Sequence, residues 1–390
     1  MRRVTDEERR ARLVRRHLLD PDGRGSSVAD VAAALVAIHS TDAATVFLSV
    51  RARTDASDPG VIERELYVDR TAVRILGMRR TLFVVARDLR PVVQAACTDE
   101  IAARERARLE GWLASTPEID DASDWLTAAE QAALAAVENA GDASTADVVG
   151  SVELLATKIE LGSGKWAIVA SAGSRVLPLL AAQGLLLRAR PRGSWISGQY
   201  RWALPRAWLG VDQDRPPVED ARARLVRNWL AAYGPGTELD LRWWTGLGAR
   251  PVRTALATIG AVEVELGVAI GYALPDDLEP IEAPEPSAAL LPTLDSTTMG
   301  WKERDWYLGP HASLLFDRNG NAGPTVWWGG RIVGGWTQRA DGEIAYRLLE
   351  DVGRDAVEAV EAEAARLAAW LGDVRFSPGF LPPFHRELAA

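Results

Sequence analysis

The sequence predicts an α+β fold in which units of three helices and one β-hairpin repeat along the chain and a β-rich domain follows them. The first observation is a repeated helix end, which finishes on a glycine, Gly184 or Gly260, where a C-terminal cap belongs. After each glycine come alternating apolar residues, a turn and a second apolar stretch that closes on Ala-Leu-Pro, at residues 203–205 or 273–275. The chain has 390 residues, of which 47% are hydrophobic, and this length predicts more than one domain.

The helices that precede each hairpin complete the repeated unit. We predict helices over residues 125–139 and 145–155 and a third ending at Gly184 in the earlier copy, and over 218–232 and 238–245 and a third ending at Gly260 in the later copy. Thr237 is placed to cap the helix that begins at residue 238, with Asp240 completing a capping box. Three helices followed by a hairpin form the winged-helix pattern, whose third helix usually enters the major groove of DNA.

A first copy of the unit begins near the N-terminus, and the C-terminal part differs in kind. The first copy is predicted to have helices over residues 5–19, 28–38 and 59–67 and hairpin strands over 72–76 and 81–86. The C-terminal part is predicted to have strands over residues 289–294, 312–316, 325–328 and 332–337 and a helix over 354–370.

We therefore predict three tandem winged-helix units in a curved array, followed by a β-rich domain with a long helix. The predicted domains cover residues 1–120, 121–211, 212–280 and 281–390. Residues 279–287, dense in Glu and Pro, are the predicted linker into the last domain.

Composition argues against several classes of protein. The only cysteine, Cys97, cannot form an intramolecular disulfide, and the four histidines lack metal-ligand spacing. No Gly-rich phosphate-binding loop is present, so we expect neither a metal nor a cofactor. The charged N-terminus and the lack of a long uncharged apolar stretch predict a cytoplasmic protein that does not enter a membrane.

The distribution of charge predicts a DNA-binding face on an acidic protein. The net charge of −9 by itself argues against a polyanionic partner, but the arginines are clustered. The hairpin of the earlier copy is six residues longer than that of the later copy, and it carries Arg188, Arg190 and Arg192. We expect this extension to contact the phosphates of double-stranded DNA.

Three segments resemble a known family. His39-Ser40-Thr41-Asp42 is similar to the segment that carries the catalytic glutamines in bacterial winged-helix alkylpurine DNA glycosylases, including those that unhook crosslinked bases. The family's motif reads Gln, small or apolar residue, Gln; His39 and Thr41 occupy the two glutamine positions and Asp42 follows. Residues 74–83 resemble the family's Arg-Gly-Thr-Leu-His hairpin, and residues 290–304 and 330–336 resemble its C-terminal signature. The resemblance covers nearly the whole chain.

The resemblance implies a catalytic role for the first of these segments. Asp42 would stabilise positive charge on the sugar, His39 would orient or deprotonate the attacking water, and Thr41 would hold that water by a hydrogen bond. A neutral His39 near its ordinary pKa of about 6.5 could accept a proton at physiological pH. The alternative interpretation is structural, with Asp42 as a helix cap and His39 as a polar residue that closes a helix.

The candidate DNA-binding residues lie outside that segment. Arg79, Arg80 and Thr81 form a hairpin tip that suits phosphates or a minor groove. The full set of predicted DNA contacts is Arg53, Arg79, Arg80, Thr81, Arg188, Arg190, Arg192 and Arg304.

The leading hypothesis is a monomeric DNA glycosylase that hydrolyses the N-glycosidic bond of bulky or N-alkylated purines, in DNA repair or in self-resistance to a genotoxin. One alternative is a non-catalytic winged-helix protein that regulates transcription or binds a lesion or genotoxin. A third is a protein-interaction scaffold that binds no DNA, which the acidic composition favours.

Overall fold

A computed structural model describes residues 1–56, 58–162, 164–211, 214–379 and 381–390. The fold is α+β, as the sequence predicts. Within the described ranges no helix is both long enough and apolar enough to cross a membrane.

The N-terminal part combines short helices with a three-stranded sheet. Its elements are β1 (Arg2–Arg3), α1 (Asp6–Arg16), α2 (Val28–Ala34), β2 (Ile38–His39), α3 (Ala43–Arg51), α4 (Pro59–Arg64), β3 (Ala72–Gly77), β4 (Thr81–Ala86), α5 (Arg90–Val93) and α6 (Asp99–Leu113). The sheet has the order β2-β4-β3 and is antiparallel throughout. The predicted helix over residues 28–38 is too long, because the chain turns at Val36, with φ of 59°, and Ile38 joins the sheet.

The next part has its own core and one hairpin that the sequence did not predict. Its elements are α7 (Ala122–Ala140), β5 (Asp142–Ser144), α8 (Thr145–Ser151), α9 (Glu153–Ala156), β6 (Lys158–Leu161), β7 (Ile168–Ser171), α10 (Gly173–Ala182), β8 (Leu187–Pro191), β9 (Tyr200–Ala203) and α11 (Pro205–Leu209). The hairpin β6–β7 separates α9 from α10. The predicted helix over residues 145–155 breaks at Val152, whose backbone is extended.

The third part forms a four-stranded sheet that includes the N-terminal strand β1. Its elements are α12 (Val218–Tyr233), β10 (Gly236–Thr237), α13 (Glu238–Thr245), α14 (Ala249–Thr258), β11 (Val262–Leu266) and β12 (Ala269–Ala273). The predicted capping box is present, with Thr237 and Asp240 each accepting a backbone hydrogen bond from the other. β1 pairs in parallel with β11, so the start of the chain is fixed to this part.

The C-terminal part is an antiparallel sheet flanked by helices. Its elements are β13 (Ala288–Leu291), α15 (Asp305–Leu308), α16 (Ala312–Leu315), β14 (Thr325–Trp328), β15 (Arg331–Gln338), β16 (Ile344–Leu348), α17 (Arg354–Leu371) and α18 (Pro383–Ala389). The predicted strand over residues 312–316 is wrong. An apolar run this short does not distinguish strand from helix, and Pro310 in the preceding turn favours a helical start.

The cores join distant parts of the chain. The largest cluster of buried apolar residues contains Phe83 of the first hairpin, Trp229 of α12 and Trp327 of β14. A second cluster joins Phe47 of α3 to Leu367 of α17. Residues from the N-terminal and the C-terminal parts of the chain therefore pack together around the loop between β2 and α3.

Candidate active site

The loop with the predicted catalytic residues is held against the first hairpin. His39 in β2 pairs with Phe83 in β4, and the Ser40 N–H donates to the Leu82 carbonyl oxygen at 2.9 Å. The helix α3 begins immediately after Asp42. Ser40 is fully buried like His39, whereas the next residue, Thr41, is exposed.

His39 lies on the buried side of the loop. Its side chain is 6% exposed and packs edge-on against Phe83, with ring centroids 5.5 Å apart. Its Nδ1 atom has no hydrogen-bond partner among the described residues. Burial, and then the positive charge of Arg79, lower the pKa of His39 to about 3. The expectation that His39 accepts a proton with a pKa near 6.5 is therefore wrong, because the folded chain keeps this imidazole neutral and makes it a weak base.

The pH dependence of the protein follows from this burial. We expect no His39 titration in the rate of any reaction at the site between about pH 6 and pH 8, because the pKa of this imidazole is about 3. His17 and His385 are also buried, and burial lowers their pKa values to about 3 and about 4. The unfolded chain therefore binds more protons below about pH 6.5, and the free energy of unfolding should fall as the pH falls from there.

Two measurements check this prediction. Urea unfolding at a series of pH values should show a stability loss below about pH 6.5, and the activity of the folded protein should stay level from about pH 8 to pH 6. An activity limb near pH 6.5 that disappears in a His39→Gln variant would contradict it.

Thr41 is the exposed residue of this loop. It is exposed and lines a cleft of about 560 Å³ between the first hairpin and the second part of the chain. A volume of this size is typical of ligand sites. The other residues that line the cleft are Leu82, Ser144, Thr145, Ala146, Arg188, Arg192, Gly198, Gln199, Tyr200 and Trp202.

Asp42 caps α3, as the structural interpretation of the sequence allowed. Its Oδ1 atom accepts from the Ala44 N–H at 3.0 Å and its Oδ2 atom accepts from the Gly379 N–H at 3.0 Å. The carboxylate is half-buried, and each oxygen keeps a further lone pair. Burial is the main reason that the pKa of Tyr200 is raised, and the charge of Asp42 adds to the rise. The field of Asp42 therefore reaches the cleft wall.

The long hairpin β8–β9 supplies the positive wall of the cleft. Arg188 and Arg192 line the cleft, whereas Arg190 points away and pairs with Glu63 of α4 at 3.0 Å. The strands pair Arg188 with Trp202 and Pro191 with Tyr200, which brings two aromatic rings to the same wall. The sequence singled out these arginines but missed Tyr200, which the alternation of the second hairpin strand could have identified.

Arg53 does not contact DNA, and this prediction is wrong. Its side chain is fully buried, and its two terminal nitrogens donate to the Asp295 carboxylate at 3.0 and 2.7 Å. Its Nε atom donates to the His17 carbonyl oxygen at 3.0 Å. The guanidinium group thus links the residues that follow α3 to the C-terminal part of the chain.

The tip of the first hairpin is turned toward neighbouring elements. Arg79 and Arg80 both have positive φ, 54° and 60°. The half-buried Arg79 stacks its guanidinium carbon 3.9 Å from the Trp243 ring, and the exposed Arg80 pairs with Glu105 at 2.8 Å. Thr81 begins β4 and is half-buried.

Arg304 reaches the same tryptophan from the C-terminal part. Its guanidinium carbon lies 5.2 Å from the Trp243 ring and 4.7 Å from the Phe316 ring. Contacts of Arg79, Arg80, Thr81 and Arg304 with DNA stay predictions. In the described part of the chain, no group of three or more His, Cys, Asp and Glu residues is placed to hold a metal.

Helical units that end in hairpins and face an arginine-lined cleft are features of proteins that bind nucleic acids. The family described as "DNA glycosylase AlkZ-like" matches residues 32–370, so the chain belongs to the AlkZ-like DNA glycosylase family. A similar solved structure is that of the Streptomyces sahachiroi DNA glycosylase AlkZ. The two chains share 23% sequence identity and superpose with a TM-score of 0.71 over 94% of this chain and 97% of that chain. No curated protein matches the sequence significantly.

Proposed function

We propose that this protein is a DNA glycosylase that hydrolyses the N-glycosidic bond of bulky or N-alkylated purines in double-stranded DNA, and that the cleft at Thr41 receives the damaged nucleotide. The observation that carries the proposal is the exposed position of Thr41 in a cleft of about 560 Å³. Thr41 belongs to the loop that resembles the family's catalytic motif, and the opposite wall is lined by arginines.

The chemistry makes modest demands on the protein. A purine alkylated at a ring nitrogen is cationic and leaves readily, and the sugar passes through a state with oxocarbenium character. The site must stabilise positive charge on the sugar and place a water beside the anomeric carbon. A carboxylate and a hydroxyl group are sufficient for these two tasks.

Asp42 and Thr41 fit these tasks in different ways. The two backbone N–H groups fix the orientation of the Asp42 carboxylate, whose negative charge follows the exposed Thr41 in the chain. Thr41 is exposed to the cleft and its hydroxyl group can accept from and donate to a water. His39 supports the loop from beneath as a neutral group, and we propose no proton transfer by it.

The cleft arginines would hold the DNA backbone. We expect Arg192→Ala to weaken binding to all duplex sequences and to lower the slope of log affinity against log salt by about one, because a phosphate contact is lost. Arg190→Ala is the matched control, since Arg190 lies two residues earlier in the chain, does not line the cleft and pairs with Glu63. Fluorescence anisotropy across a salt series measures both. Equal slopes for the wild type and Arg192→Ala would contradict the assignment.

We also propose that the protein is a monomer and that it acts in the cytoplasm.

Base excision tests the proposed function. Duplex DNA with one 7-methylguanine, or with a bulky N7 adduct, is incubated with excess protein, and abasic sites are revealed by strand cleavage in alkali. We expect abasic sites at the modified base and none in the unmodified duplex. The low basicity of His39 favours a second candidate, a protein that binds lesions without excising them. Binding without abasic sites would establish that candidate instead.

A further inference from the structure

We propose that the arginine wall of the cleft is a discrete site for one phosphate group, contacted by Arg188 and Arg192 and reinforced by the buried charge of Arg74. The site deepens the proposed function, because in that function the phosphate is a phosphodiester of the DNA beside the damaged nucleotide.

Arg74 is a buried cation without an anionic partner. Its side chain in β3 is 4% exposed, and it forms no ion pair with any residue that the structure describes. Its Nη1 atom donates to the Tyr67 hydroxyl oxygen at 3.2 Å, but its Nε and Nη2 atoms have no hydrogen-bond partner in the described ranges. Its guanidinium carbon lies 4.1 Å from the centre of the Tyr200 ring, which lines the cleft.

A second unpaired guanidinium group lies next to it. Arg188 in β8 lines the same narrow gap as Arg74 and also lines the cleft. It too lacks an ion pair with the described residues, and its guanidinium carbon lies 4.8 Å from the Trp202 ring. Burial, followed by the like charge of Arg74, lowers the pKa of Arg188 to about 10. The charge of Arg74 therefore disfavours the charge of Arg188, whereas the pKa of Arg74 itself is raised, because burial lowers it less than Tyr200 and Tyr67 raise it.

This arrangement costs folding free energy unless an anion enters. Cation–π contacts with Tyr200 and Trp202 offset only part of the cost of removing the Arg74 guanidinium group, and part of the Arg188 guanidinium group, from water. Two other buried arginines have carboxylate partners: Arg53 pairs with Asp295 and Arg51 pairs with Glu363. Unpaired buried charge that lowers stability is typical of binding sites.

A phosphate is the anion that fits this site. Guanidinium groups bind phosphate oxygens through paired N–H donors, and Arg192 at the exposed rim gives a second fork for the same group. The arginines repel a cationic alkylated base, so the base would lie away from Arg188, on the side of the cleft where Thr41 is exposed.

Inorganic phosphate is the first probe. Thermal unfolding of the full chain is followed with rising phosphate against chloride at constant ionic strength. We expect phosphate to raise the Tm of the wild type and of Arg190→Met, and to leave that of Arg188→Met unchanged. Arg74→Met should lose most of the phosphate response while its Tm without phosphate stays equal to or above that of the wild type, because an unpaired buried charge is removed. A purely structural Arg74 would instead lower that Tm.

Duplex DNA is the second probe. Arg188→Met should weaken binding to an unmodified duplex at least about tenfold, and added phosphate should compete with DNA for the wild type but not for this variant. The proposal is overturned if phosphate does not stabilise the wild type, or if it stabilises Arg188→Met equally. Should Arg74→Met fail to fold, Arg188→Met still decides. A phosphate response without base excision would leave this site standing and reject the proposed function.

Discussion

Asparagine in place of Asp42 is expected to lower the single-turnover rate of base excision about 100-fold, the effect seen when one group that stabilises transition-state charge is removed. The substitution removes the negative charge beside the cleft and keeps the shape of the side chain. Asparagine caps helices as well as aspartate does, so the hydrogen bond to the Ala44 N–H and the start of α3 should persist. Quantifying abasic sites against time with excess protein gives the rate.

A capping aspartate elsewhere provides the matched control. Asp121 caps α7 and accepts from the Ser123 and Asp124 N–H groups, both at 2.9 Å. The Asp121→Asn variant should excise the modified base at the same rate as the wild type. If Asp42→Asn and the wild type have equal rates and equal Tm values, Asp42 is only a cap and charge stabilisation must come from another group.

Alanine in place of Arg53 is expected to lower the free energy of unfolding by about 3–5 kcal/mol, the loss typical of breaking a buried ion pair. Burial alone would raise the pKa of Asp295, but the Arg53 guanidinium group beside it holds that pKa below its usual value. Without Arg53 the Asp295 carboxylate is left buried and unpaired. Its remaining donors are the Ser49 hydroxyl at 2.5 Å and the Thr297 N–H at 2.9 Å.

Urea unfolding measures this loss. The control is Arg24→Ala, which removes a partly exposed arginine that lies 3.4 Å from the Asp55 carboxylate, a pair expected to contribute no more than about 1 kcal/mol. Equal stabilities of the Arg53 and Arg24 variants would mean that the buried pair contributes little beyond its desolvation cost.

The repeated units could be predicted because their signals are local. The hairpin strands β4 and β11 begin and end at the residues predicted from the apolar stretches, a continuous run in β4 and an alternating one in β11. The start of α13 follows from its capping box, Thr237 with Asp240 three residues later. Each of these signals lies within a few residues of the element that it defines.

Other elements could not be predicted, for identifiable physical reasons. Every residue of α3 (Ala43–Arg51) is buried, so the helix has no polar face and no 3.6-residue pattern. Arg53 follows an apolar helix and could have been a surface cation. Its burial depends on Asp295, a partner 242 residues away. The pKa of His39 could not be predicted either, because burial by residues from other elements and the charge of Arg79 lower it.

The residues that the sequence predicts to be catalytic do not share one environment. His39 and Ser40 are buried, Thr41 is exposed, and Asp42 caps the helix that begins at Ala43. A match to a motif gives the position of the residues and leaves their burial undetermined. The proposed function therefore depends on Thr41 and Asp42 more than on His39.

Site-specific crosslinking tests most directly whether the cleft at Thr41 receives the damaged nucleotide. Thr41→Cys is incubated with duplexes that carry a disulfide-tethered thiol either beside a modified purine or several base pairs away. The native Cys97 gives little background, because it is 6% exposed and burial raises the pKa of its thiol to about 12. The control, Thr127→Cys, places a thiol at an exposed position on α7.

We expect Thr41→Cys to form the mixed disulfide rapidly with the tether beside the modified purine and slowly with the distant tether. Thr127→Cys should react slowly with both tethers. Equal crosslinking of Thr41→Cys at the two tether positions would contradict the placement of the damaged nucleotide in this cleft.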